Sequence, residues 1–158
     1  MIALDIYFRF GNLCVDVDLW SIRLAQFKGI AAVFDTGAHT THVDTNVLKN
    51  LGYDLKNAGV SYVSTVGNNN LKINNTIIDN IQIGDFKTGA VLVNFSELSD
   101  ISFPVIIGLN VIKEFDVNLD FTNMKMLLRP NFDTNSIISV EHFNKHGSRF
   151  GLWNVRGL

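Results

Sequence analysis

Polar and apolar residues alternate with period two through most of the chain. Ile2, Leu4, Ile6, Phe8 and Phe10 alternate with Ala3, Asp5, Tyr7 and Arg9, the pattern of a strand with one buried face. Gly11-Asn12 reads as a hairpin signal. Leu13, Val15, Val17 and Leu19 then alternate with Cys14, Asp16, Asp18 and Trp20, which predicts a second, antiparallel strand. Residues Ser21 to Lys28 read as a third strand, and the apolar run Gly29 to Phe34 as a buried fourth. Asp44 can cap a short helix that Gly52 stops, with Val47, Leu48 and Leu51 facing the core. Asn110 starts a second helix over Val111 to Phe115. Strands resume at Val117 to Phe121 and Lys125 to Leu128, and Pro130 closes the region. The cluster Gly67-Asn68-Asn69-Asn70 reads as a loop, because Gly and Asn tolerate left-handed backbone. The pattern therefore predicts a mostly β fold with one or two short helices.

Composition narrows the class. A chain of 158 residues with 47% hydrophobic and 18% charged residues fits one globular domain. Thirteen Lys/Arg against fifteen Asp/Glu leave no basic footprint for nucleic acid or an anionic membrane. No apolar run is long enough for a membrane-spanning helix. The early Asp5 and Arg9 argue against a secretory signal, so the expected compartment is cytoplasmic. A single cysteine, Cys14, excludes a disulfide framework and reads as a small core residue.

Two segments carry chemistry. In Ala31-Ala32-Val33-Phe34-Asp35-Thr36-Gly37-Ala38 an apolar strand runs into an acid followed by Thr-Gly-Ala. A carboxylate at the end of a buried strand is rigid and partly desolvated, Thr36 can lock the backbone with its hydroxyl, and Gly37 permits a close approach of chain or substrate. Alone, the tripeptide also suits an ordinary turn. Downstream, Val105-Ile106-Ile107-Gly108 is a second apolar strand ending in Gly and leading into Asn110-Val111-Ile112.

Together, in this order, the two segments resemble the retropepsin-like aspartic proteases over roughly residues 13 to 130. The resemblance implies an acid-protease β-barrel, here residues 1–130, in which the two apolar strands cross beside the active site. It implies Asp35 as the catalytic acid, supported by Thr36, Gly37 and Ala38. The hairpin Ser61 to Leu71 matches the family's flap, with Val66 and Gly67 near its tip as substrate contacts beside His39 and Ile107. The mechanism needs two carboxylates sharing a proton, and no metal or other cofactor. One Asp-Thr-Gly is present. Asp44-Thr45-Asn46 and Asp133-Thr134-Asn135 lack the glycine. An active enzyme is therefore a homodimer acting on an extended polypeptide, with Thr36 meeting its counterpart across the two-fold axis.

The chain departs from the viral pattern. Where viral members pair an acid after Asp-Thr-Gly-Ala with an Arg after the second-motif Gly, it has His39 and Leu109. Both partners of the ion pair have changed together, which suggests a cellular or bacterial branch. Two other readings compete with a dimeric endopeptidase. One is a protease-fold binding or dimerisation module without turnover. The other is a metal-dependent hydrolase using Asp35, His39, His42 and Asp44. Against the metal, residues three apart on an extended chain point to opposite faces. His142 and His146 also have metal-ligand spacing but read as polar surface. Residues 131–158 are expected to be an extension that builds the dimer interface or regulates access to the cleft.

Overall fold

A computed structural model describes residues 1–65, 68–98 and 103–131. Thirteen strands and two helices follow one another in these segments. They are β1 (Ile2–Asp5), β2 (Tyr7–Arg9), β3 (Asn12–Ser21), β4 (Gln26–Phe34), β5 (His42–Asp44), α1 (Thr45–Leu51), β6 (Gly59–Thr65) and β7 (Asn68–Ile78). Then come β8 (Ile81–Ile83), β9 (Phe86–Lys87), β10 (Val91–Ser96), β11 (Val105–Ile107), α2 (Leu109–Ile112), β12 (Phe115–Asp120) and β13 (Lys125–Pro130).

The main sheet runs in the order β6-β7-β10-β5-β11-β4-β3-β8-β9, with β2 added beside β3. Its centre is mixed. β11 lies parallel to β4 on one side and antiparallel to β5 on the other, and β5 lies parallel to β10. Two non-adjacent apolar segments thus meet side by side, as the two-motif pattern implies. A smaller sheet has the order β1-β13-β12. The mostly β class with two short helices holds. Among the described residues the expected barrel does not close: the main sheet has β6 at one end and β9 at the other.

Several boundaries differ from the sequence expectation, each because tertiary pairing overrides a local pattern. The uninterrupted alternation of residues 2–10 belongs to two strands. Ile6 donates its N–H to the Met124 carbonyl at 3.0 Å, β1 pairs β13, and β2 turns back onto β3. Ser21 to Lys28 is no separate strand, because β3 and β4 pair continuously from Cys14↔Val33 to Ser21↔Gln26. The asparagines from Asn68 begin β7, with Asn68 opposite Thr65, where a cross-strand ladder outweighs their loop preference. The second helix spans only Leu109–Ile112, and Phe115 already belongs to β12. Residues 132–158, including His142 and His146, lie outside the described residues.

The core fills one face of the main sheet. Val15, Val17 and Leu19 from β3, Ala32 and Phe34 from β4, Val43, Val93, Phe95, Val105 and Ile107 pack with Leu48 and Leu51 of α1. Cys14, Val33 and Phe103 form a separate small cluster with Ile106 and Tyr7 packed against it. Alternation along β4 and β11 sends neighbouring residues to opposite faces, so Val33 and Ile106 leave the core that Phe34 and Ile107 enter.

Candidate active site

Asp35 follows the last residue of β4 and is half-buried. Its N–H continues the ladder by donating to the Ile107 carbonyl at 3.0 Å. Its Oδ1 accepts the Gly37 N–H at 2.8 Å, and the Ala38 N–H donates to the Asp35 carbonyl at 3.3 Å. The carboxylate is therefore held from the backbone side, while Oδ2 has no hydrogen bond among the described residues. A Cβ on Gly37 would sit 3.1 Å from Asp35 Oδ1, so a side chain there would crowd the carboxylate.

The loop is locked from below by Thr41 and Asn110, neither singled out by sequence as site residues. Asn110 Oδ1 accepts from the Thr41 N–H at 2.7 Å and from the Thr41 hydroxyl at 2.6 Å. Asn110 Nδ2 donates to the Leu92 carbonyl at 2.7 Å. Thr41 Oγ1 in turn accepts the Gly108 N–H at 3.1 Å. Backbone bonds from Leu109 to the Ala38 carbonyl and from Asn110 to the His39 carbonyl complete the clamp at 2.8 and 3.2 Å. Gly108 has a steric reason: a Cβ there would meet Thr40 C at 2.6 Å and Ala38 O at 2.8 Å. The second motif thus reads as Gly for close packing and Asn for bridging. Its spacing from Asp35 carried the signal, but the partner Thr41 did not stand out.

The other expected site residues fall as follows. Thr36 and His39 are exposed and Ala38 is half-buried. The Thr36 hydroxyl has no hydrogen-bond partner among the described residues, so within one chain the locking hydroxyl is that of Thr41. Ile107, expected to contact substrate, is fully buried in the core, and its neighbour Ile106 projects from the opposite face. Val66 and Gly67 lie outside the described residues. The hairpin that would carry them is present as β6 and β7, paired from Gly59↔Asn75 to Thr65↔Asn68. β10 pairs with β7 only from Asn74 to Ile78, so the rest of the hairpin is a two-stranded arm.

His42 sits on β5 with Nε2 2.9 Å from Ser96 Oγ. Burial pushes its pKa below the ordinary imidazole value, against the pull of Asp44. Asp44 caps α1, accepting from Asn46 and Val47 through Oδ1 and from Leu98 through Oδ2. Burial pushes its carboxyl up, but these backbone donors together outweigh it and the net shift is down. Asp44 is thus occupied as a cap, and among the described residues no group of three or more His, Cys, Asp or Glu could hold a metal ion.

A strand-end aspartate with an Asp-Thr-Gly turn, braced by a Gly-x-Asn segment, defines the aspartic-protease class of site. The family model described as "gag-polyprotein putative aspartyl protease" matches residues 25–114, and the chain belongs to that family. Among solved structures, a retropepsin-like aspartic protease from Rickettsia conorii is similar over 80% of this chain and 89% of that one, with 18% identity and a TM-score of 0.57. The retroviral protease-like domain of Ddi1 from Leishmania major matches over 77% of this chain and 97% of that one, with 18% identity and a TM-score of 0.45. The first of these shares the retropepsin-like fold. No curated protein matches the sequence.

Proposed function

We propose that this protein is an aspartic endopeptidase that works as a homodimer on extended polypeptide. The observation that carries the reading is Asp35 itself: a strand-end carboxylate with Oδ1 held by the Gly37 N–H in a chain with a single Asp-Thr-Gly. Two copies related by a two-fold axis supply two such carboxylates. At hydrogen-bond distance they cannot both ionise, so they share a proton. The ionised partner takes a proton from a water that attacks the peptide carbonyl carbon. The protonated partner donates to the carbonyl oxygen, giving a tetrahedral diol, and the leaving amine is protonated as the C–N bond breaks. The β6–β7 arm supports a flap role: its backbone can pair with an extended peptide and exclude water from the reaction.

Asp35→Asn tests this directly. The variant keeps the shape of the loop but loses the proton-sharing acid, so peptide cleavage should fall by at least about a thousandfold while the melting temperature stays near that of the parent. Cleavage by Asp35→Asn at the parental rate would overturn the reading. Dimerisation with no cleavage of any peptide would instead favour a binding module.

A further inference from the structure

Residues directly opposite on paired strands project from the same face of a sheet. The registers Val33↔Ile106, Ile106↔His42, His42↔Asn94 and Asn94↔Asn75 therefore align five side chains in one row across β4, β11, β5, β10 and β7. The row lies on the face away from the core, and Val33 is two residues before Asp35. Its first half is apolar, Val33 and Ile106. Its second half is polar, His42, Asn94 and Asn75. The arm continues this face: Ser61, paired opposite Ile73, and Val63, paired opposite Leu71, point the same way.

Asn94 is the odd member of the row. It is 5% exposed, and its Oδ1 is buried with no hydrogen-bond partner among the described residues. Its neighbours are occupied. Asn75 Nδ2 donates to Ser61 Oγ, and His42 Nε2 contacts Ser96 Oγ. A buried acceptor without a donor is costly unless a ligand provides one. Strands lie about 4.8 Å apart, so Asn94, three strands from Val33, is about 14 Å along the row. A peptide rising about 3.3 Å per residue, plus the reach of a long side chain, spans that in about two or three residues.

We propose that Asn94, with His42 beside it, determines specificity by selecting a substrate whose side chain, two or three residues from the cleaved bond, presents a carboxamide N–H. Glutamine or asparagine meets this need. Burial keeps His42 from adding a positive charge near neutral pH, so the row offers no counter-charge to a carboxylate. The inference rests on the proteolytic reading and narrows its substrate class.

The test uses the full chain and peptides identical except for Gln, Leu or Glu at those positions. It is read twice: by cleavage with the parent, and by calorimetric binding to Asp35→Asn, which would hold peptide uncut. The parent should favour Gln over Leu and over Glu by about tenfold or more. Asn94→Leu should abolish that preference, still cleave the Leu peptide, and melt no lower than the parent, because it replaces an unpaired acceptor with an apolar side chain of similar size. Asn94→Ala gives the same specificity readout if Asn94→Leu does not fold. Cleavage without Gln preference, or with a preference untouched in both variants, overturns the inference and leaves the protease reading standing. Binding that discriminates Gln without any cleavage supports the inference and defeats turnover. Neither cleavage nor binding defeats both. A lower melting temperature with an unchanged peptide profile would make Asn94 an internal structural group, and also overturns it.

Discussion

The Asn110 side chain fills three hydrogen-bonding roles at once. Its oxygen takes both donors of Thr41 and its nitrogen serves the Leu92 carbonyl, all at buried positions. Asn110→Ala leaves those groups without partners, at about 1–3 kcal/mol for each orphan. We expect a loss of about 3 kcal/mol or more in denaturant unfolding, with activity lost in parallel as the Asp35 loop loosens. His42 gives a pH signature. Its folded pKa lies below the ordinary value of 6.5, so between the two values the unfolded chain binds a proton that the folded chain refuses. Stability is full above the ordinary value and falls as pH drops through it toward the folded pKa. Asp44, also shifted down, adds a loss in the same direction in the carboxylate range. His42→Gln should flatten the stability profile just below the ordinary imidazole value while leaving the more acidic limb. At this scale Asp35 was legible, because a strand-end acid with Thr-Gly is a local pattern. Thr41 was not, because its role depends on Asn110, its partner from a distant segment. Ile107 was expected at the substrate but is buried in the core, because sequence alone does not say which of two adjacent isoleucines points inward.

Among the elements, α1 was the most readable. Asp44 takes φ −60° and ψ 137° at its start, and Gly52 takes φ 95° at its end, where glycine has no Cβ to strain the left-handed backbone. Both ends follow rules written in neighbouring residues. Asp44→Ala removes the cap and leaves the Leu98 N–H without its acceptor. A cost of about 1–2 kcal/mol should appear as a lower melting temperature with little change in the pH optimum of cleavage. Gly108→Ala acts on the junction of β11 and α2. Its Cβ would lie under 3 Å from the backbone of Thr40, Ala38 and Thr41, and backbone cannot swing aside as a flexible side chain does. We expect severe destabilisation, seen as loss of a cooperative unfolding transition. The division of residues 2–10 into β1 and β2 was invisible from alternation, because the same pattern serves whichever strand pairs with each half.

At the scale of the whole molecule, the smaller sheet has β1 and β12 as its two edge strands among the described residues. Among the described residues β12 pairs with β13 on one side only; along it Val117 and Leu119 are each 37% exposed, and Phe121, just past its end, is 56% exposed. Phe8 stacks on Phe121 at 6.1 Å between ring centroids, which extends the apolar margin. An apolar edge strand is a template for pairing with another chain, and the proposed dimer needs such a surface. Leu119→Lys should shift sedimentation toward the single chain and lower activity per chain at a fixed concentration. The parent should gain activity per chain as concentration rises through its dissociation constant.

By itself the sequence determined the strand-rich class, the caps of α1, the strand-end aspartate with its Thr-Gly turn, and the single copy of that loop. Each of these is encoded within a few residues by periodicity, backbone preference or side-chain chemistry. The tertiary structure alone decided which faces meet: the Thr41–Asn110 lock, the turn of Ile107 inward and Ile106 outward, and the row that places Asn94 with His42. These depend on how segments far apart in the chain are brought together, and a register shift of one residue would send the strand side chains among them, Ile106, Ile107, His42 and Asn94, to the other face.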